Sequence, residues 1–144
     1  MVIPMGKIKV TKKPMTTPGA IAEVFFSILK TENEIDQDKE HFWIMGLDTK
    51  NRIKYIELVS LGILNASLIR PLETFRLAIN QAVDRIIGSH NHPSGDPEPS
   101  EDDHRVTKQL FESGKILGIE LLDHIIIGNA KDKLFFSFRE GGLM

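Results

Sequence analysis

The residues best suited to chemistry lie in one short stretch, 87 to 103, which reads IGSHNHPSGDPEPSEDD. His90 and His92 are separated by a single residue. Alternate side chains of an extended chain share a face, so such a pair aims both imidazoles into the same space. A tetrahedral metal needs ligands that converge in this way. Two surface histidines would read identically, and the pair alone does not decide.

The residues that follow add a third ligand. PSGDPEP holds three prolines and a glycine, a stiff turn that reverses the chain over a short distance. Ser100 then stands where a helix N-cap belongs, and Asp103 occupies the third helical position. Taken alone, that is a capping box in which both side chains satisfy first-turn amides. The turn, however, returns the helix start toward the strand end that carries the histidines. The positive end of the helix dipole also keeps Asp103 ionised. Two imidazoles, one carboxylate and a water form the open four-coordinate set of a catalytic zinc.

The flanking segments must position this set. Thr17 and Pro18 open a helix through TTPGAIAEVFFSILK. TENEIDQDKE reads as an exposed acidic connection. HFWIMGLD and RIKYIELVSLG read as two strands of a hairpin turning at TKN. RPLETFRLAINQA is expected to be a second helix with Leu72, Phe75, Ile79 and Ala82 on its apolar face. DRIIGSH is a short strand that runs into the histidines, and SEDDHRVTKQLFESGKILG is a helix stopped by Gly118. IELLDHIIIG and KLFFSFRE close as a strand pair around NAKD. The order αββαβαββ predicts an α/β single domain, a mixed sheet flanked by helices.

Composition narrows the function classes. The 144 residues (16.2 kDa) include no cysteine, which removes thiolate zinc ribbons, disulfides and the Cys-ligated nucleobase deaminases. A net charge of −2 leaves no general footprint for nucleic acid. Lys7, Lys9, Lys12 and Lys13 make residues 1–14 a basic arm or edge strand, ahead of a domain over 15–144. There is no signal-like apolar core and no run of membrane-spanning length. The expectation is therefore a cytoplasmic chain without a membrane partner, its oligomeric state open.

HNHPSGDPEPSEDD resembles the signature of the RadC family within the JAB/MPN (JAMM) metallopeptidase-like domains: H-x-H, seven residues, Ser, two residues, Asp. LDTKNRI, AINQAVDRIIGSHNHPSGDP, TKQLFESGKILGIELLDHIIIG and SFRE extend the resemblance over roughly residues 18–140. It implies a curved mixed β-sheet flanked by helices, a cytidine-deaminase-like layer arrangement with zinc at one sheet end. His90, His92 and Asp103 would ligate one Zn²⁺, and Ser100 would hold the water or steady the developing oxyanion. A Glu from an earlier strand would serve as general base. That points to Glu40 in KEHFWIMGLD, with Glu57 in YIELVSLG as competitor. Glu40 is preferred because the first residue of a strand can face a sheet-end site.

The implied activity is zinc-dependent hydrolysis of a peptide or isopeptide bond. The alternative is a DNA-repair-associated or mobile-element accessory module with little turnover. His124 reads as a hydrogen-bonded core histidine with a supporting role open. The chain departs from the family at three points. Its 144 residues are expected to leave no room for the N-terminal helix-hairpin-helix-like region of longer relatives. Pro-Leu-Glu in RPLETF replaces Pro-Arg-Glu, and His104 stands where an apolar residue is usual.

Overall fold

A computed structural model describes residues 1–4 and 13–144. The elements run α1 (Pro18–Lys30), α2 (Glu34–Gln37), β1 (His41–Leu47), β2 (Ile53–Leu61), α3 (Pro71–Asn80), β3 (Arg85–Asn91), α4 (Glu101–Leu117), β4 (Glu120–Ile127) and β5 (Phe135–Ser137). The strands form one mixed sheet in the order β2-β1-β3-β4-β5. β3 and β4 are parallel, joined by α4, and every other neighbouring pair is antiparallel.

β1 sits inside the sheet and is buried along its whole length. Its alternating side chains feed two cores. Trp43, Met45 and Leu47 join Ile87, Ile125 and Ile127 beneath α1. Phe42 and Ile44 join Ile86 and Leu121 beneath α3 and α4, against Phe75, Val106 and Leu110. Fully burying one such side chain contributes about 1.5–3 kcal/mol, so the two layers hold the sheet rigid from both sides. This is a single α/β domain with a five-stranded sheet between helices, as expected.

The local signals act as read from the sequence. The Thr17 side chain accepts the Ala20 N–H at 3.2 Å, with Pro18 opening α1. Gly118 ends α4 in the left-handed region at φ 74°, where a Cβ would be strained. Two details differ. The acidic connection contains the one-turn helix α2, capped by Asn33, whose side chain accepts the Asp36 N–H. In α3 the buried residues are Thr74, Phe75 and Ala78, whereas Leu72 and Ile79 are each 56% exposed. Ala82 lies beyond the helix at φ 54°. The sheet takes one narrow stripe of α3 centred on Phe75, so the apolar residues beside that stripe stay in solvent.

Of the proposed N-terminal arm, residues 5–12, including Lys7, Lys9 and Lys12, lie outside the described residues. Residues 1–3 lie against β2: Val2 bridges Glu57, and the Ile3 N–H donates to the Ile56 carbonyl at 2.8 Å. No helix among the described residues is long and apolar enough to cross a membrane.

Candidate metal centre

β3 delivers the histidines. The pairing of Phe42 with His90 places His90 at the sheet end, on the face covered by α4. His92 continues the ladder for one residue, its N–H donating to the Ile127 carbonyl at 2.8 Å. The chain then turns, with the Gly95 N–H donating to the His92 carbonyl at 2.9 Å. Gly128 lets this turn pack against the end of β4, since a Cβ there would collide with the Gly95 carbonyl. The turn leads into Ser100, the N-cap of α4.

The capping box and the ligand cluster turn out to be the same structure. Ser100 Oγ accepts the Asp103 N–H at 3.1 Å, and Asp103 Oδ2 accepts the Ser100 N–H at 2.8 Å. The Asp103 carboxylate still reaches both histidines. His90 Nε2 is 3.0 Å from Oδ1 and His92 Nε2 is 3.0 Å from Oδ2, while the two Nε2 atoms are 3.0 Å apart. Ligand atoms of His90, His92 and Asp103 all lie within 4.8 Å of one another, and this group can hold a metal ion.

The hydrogen bonds made by the far sides of the rings decide what these atoms can do. His92 Nδ1 lies 2.9 Å from the Asp96 carbonyl, which only accepts, so Nδ1 carries the proton. The Nε2 of the neutral ring is then a bare lone pair. His90 Nδ1 likewise has its own partner, His124 Nε2 at 2.8 Å. Two imidazole Nε2 atoms and a carboxylate therefore converge on one point. A cation, a proton or a metal ion, holds such groups this close. Burial pulls the His90 pKa down despite the opposing pull of Asp103, which disfavours supplying that cation as a proton on His90. For His92 burial acts in the same direction, but its bonds to Asp103 and to the Asp96 carbonyl outweigh it and raise the pKa. Burial would raise Asp103, yet the two imidazoles hold it far below the usual carboxylate range. The carboxylate is ionised and available as a ligand.

Glu40 lies one residue ahead of β1. The antiparallel register that pairs Phe42 with His90, continued two residues past the end of the ladder, brings Glu40 level with His92. Its negative charge is felt at both imidazoles, and its Oε2 accepts the Leu64 N–H at 2.9 Å. Glu57 lies mid-strand in β2, opposite Ile44, and one of its carboxylate oxygens is buried without a partner among the described residues. His41 is on the other face, its ring stacked on Trp43 at 5.1 Å. His104 is exposed and meets Phe138 edge-on at 5.4 Å.

Three supporting residues escaped sequence reasoning or were left open by it. Asn91, the spacer between the histidines, is buried and ties β3 to the start of β1. Thr107 lies one helical turn beyond Asp103, and that spacing was a usable signal. His124 does sit in the core, fully buried between Phe42 and Phe138, and it also touches His90.

The RadC-like JAB domain profile matches residues 15–143. The chain is 41% identical over 140 residues to a UPF0758 protein of Desulfitobacterium hafniense (strain DSM 10664 / DCB-2), covering 97% of this chain and 60% of that protein. It is 45% identical over 134 residues to a UPF0758 protein of Trichlorobacter lovleyi, covering 93% and 55%. Over 106 residues it is 52% identical to one from Alkaliphilus metalliredigens, covering 74% and 44%. The chain thus spans about half the length of these relatives. A match across nearly the whole domain, together with an H-x-H strand end closed by a Ser-capped Asp, establishes that this chain belongs to the RadC-like JAB domain family.

Proposed function

We propose that this chain is a zinc-dependent hydrolase of amide bonds, acting on a peptide or isopeptide. The observation that carries the reading is the convergence of His90 Nε2, His92 Nε2 and the Asp103 carboxylate on one point at the sheet end. Zinc suits this donor set. Its ligand bonds of about 2.0–2.1 Å at tetrahedral angles separate ligand atoms by about 3.3 Å, close to the 3.0 Å contacts found here. Three protein ligands leave a fourth position open, the arrangement of catalytic rather than structural sites.

When bound, such an ion polarises the scissile carbonyl and lowers the pKa of a bound water to about 7. The rest falls to the chain. Glu40 takes the proton of the attacking water at its carboxylate as the C–O bond forms, then delivers it to the departing amine as the C–N bond breaks. Its hydrogen bond to the Leu64 N–H holds one oxygen and leaves the other for that proton. The Ser100 Oγ already accepts the Asp103 N–H, so its own proton is free to donate to the carbonyl oxygen as negative charge develops there.

The test is metal content followed by turnover. Purified chain is expected to hold about one zinc, lost in the His90→Ala/His92→Ala double variant, and the loaded form should cleave fluorogenic peptide or isopeptide substrates. Wild-type protein that neither contains zinc nor takes it up when it is added would overturn the reading.

A further inference from the structure

The His90 ring is held by a directed chain of hydrogen bonds that begins at the backbone of its fellow ligand residue. Thr107 Oγ lies 2.8 Å from the Asp103 carbonyl oxygen and also contacts His124 Nδ1. A carbonyl only accepts, so the single hydroxyl proton of Thr107 goes to Asp103. Toward His124 the same oxygen can then only accept, which places the ring proton on His124 Nδ1. His124 is completely buried against Phe42 and Phe138, and among the described residues its ring meets only Thr107 Oγ and His90 Nδ1, with no carboxylate to hold a second proton, so the ring is neutral and its Nε2 is a lone pair. His90 Nδ1, 2.8 Å away, must therefore donate to it. The neutral His90 ring is left with a bare Nε2 directed at His92 and Asp103.

We propose that Thr107 and His124 are positioning residues that lock His90 into the Nδ1–H tautomer, the only neutral form that offers Nε2 to a metal. The inference rests on the metal reading given above for its purpose, though not for its geometry. A ligating histidine commonly passes its second N–H to a carboxylate, carbonyl or water, which fixes ring orientation and tautomer. Here another imidazole takes that place, and an imidazole can point its proton either way. Thr107 removes the ambiguity. The stack of His124 on Phe138 (centroids 5.1 Å apart, planes at 20°) and the edge contact with Phe42 at 6.0 Å keep the ring from turning away.

Thr107→Val preserves shape but removes the hydroxyl. The His124 proton then has no acceptor at Nδ1 and gains one by moving to Nε2, where it donates to His90 Nδ1. The His90 proton shifts to its own Nε2 and bonds Asp103 Oδ1, blocking the ligand position. Thr107→Ser restores the hydroxyl.

The test follows the ring nitrogens of the ¹⁵N-labelled, metal-free full chain by NMR, at a pH where the imidazoles are neutral, alongside zinc titration. Wild type and T107S should show protonated Nδ1 at both His90 and His124. T107V should move the proton of each ring toward Nε2 and weaken zinc binding roughly ten- to a hundredfold. Loss of packing alone would not move a proton between nitrogens. A wild-type His90 protonated at Nε2, or a folded T107V with unchanged tautomers, would overturn the proposal. Should T107V not fold, the wild-type tautomers still decide. A wild type with the stated tautomers that takes up no zinc would sink the metal reading while leaving the relay intact.

Discussion

Asn91 accepts the backbone N–H of His41 through Oδ1 at 2.6 Å, while its Nδ2–H₂ donates to the Lys39 carbonyl at 2.9 Å. One buried amide thus clamps the chain on both sides of Glu40. Because Asn91 points to the face opposite His90 and His92, the residue between the two ligands secures the candidate base without entering the site. Asn91→Ala would strand the buried His41 N–H, while the Lys39 carbonyl keeps its contact with His41 Nδ1, and about 1–3 kcal/mol of stability should be lost in urea unfolding. Zinc content should persist while kcat falls at least tenfold, since Glu40 would lose its fixed position. A variant with full turnover would show that the clamp serves folding alone.

The two candidate bases separate by substitution. Glu40→Gln keeps size and the acceptor for the Leu64 N–H but cannot shuttle a proton. Turnover should drop by about 10²–10⁴-fold with zinc content unchanged. Glu57→Gln, mid-strand in β2, should alter turnover by less than about threefold. The opposite ranking would reassign the base.

Ser100 has two duties that one pair of variants can measure. Ser100→Ala removes the N-cap acceptor, costing about 1 kcal/mol of stability, and the free hydroxyl donor, costing about 10²–10³-fold in turnover. Ser100→Thr retains both groups and should recover most of each loss. If Ser100→Ala loses stability but keeps its turnover, the residue is a cap and nothing more.

Zinc should stabilise the fold, because His90, His92 and the Asp103 carboxylate are brought to one point only in the folded chain. At a thousandfold excess over Kd the gain is about 4 kcal/mol. Thermal unfolding of chelator-stripped protein should therefore shift upward on adding zinc, and the shift should vanish in Asp103→Ala. An equal shift in that variant would mean the ion binds elsewhere.

Asp123 offers a pH test away from the ligands. Burial holds its carboxyl above the usual range, although Ser137 Oγ–H donates to it at 2.6 Å and the Arg139 and His124 N–H groups at 3.1 and 2.7 Å. Above a pH of about 4 the unfolded chain has released this proton while the folded protein still binds it. Stability contributed by Asp123 therefore falls as pH rises from there through the raised folded pKa. Asp123→Asn lacks that dependence. Urea unfolding across this window should show wild type losing ground to the variant as pH rises, and a wild type that gains would contradict the raised pKa.

The local features of this protein are legible in its sequence because their causes are local. Thr17-Pro18 starts a helix, Gly118 ends one, and an alternating H-x-H puts two rings on one side of a strand whatever surrounds it. The spacing of His90, His92, Ser100 and Asp103 carried the candidate site for the same reason, with a stiff turn linking strand end to helix cap. Tertiary structure decided what depends on contacts between distant segments. Helical periodicity marked α3 as apolar but could not say that only the stripe around Phe75 would meet the sheet, leaving Leu72 and Ile79 outside. Nor could it join Asn91 to residues 39 and 41, about fifty positions earlier, or set His124 against His90 across the parallel pairing of β3 and β4. A hydrogen bond has a direction only once both partners are placed. The proton positions proposed for His90 and His124 could therefore be argued only from the folded chain.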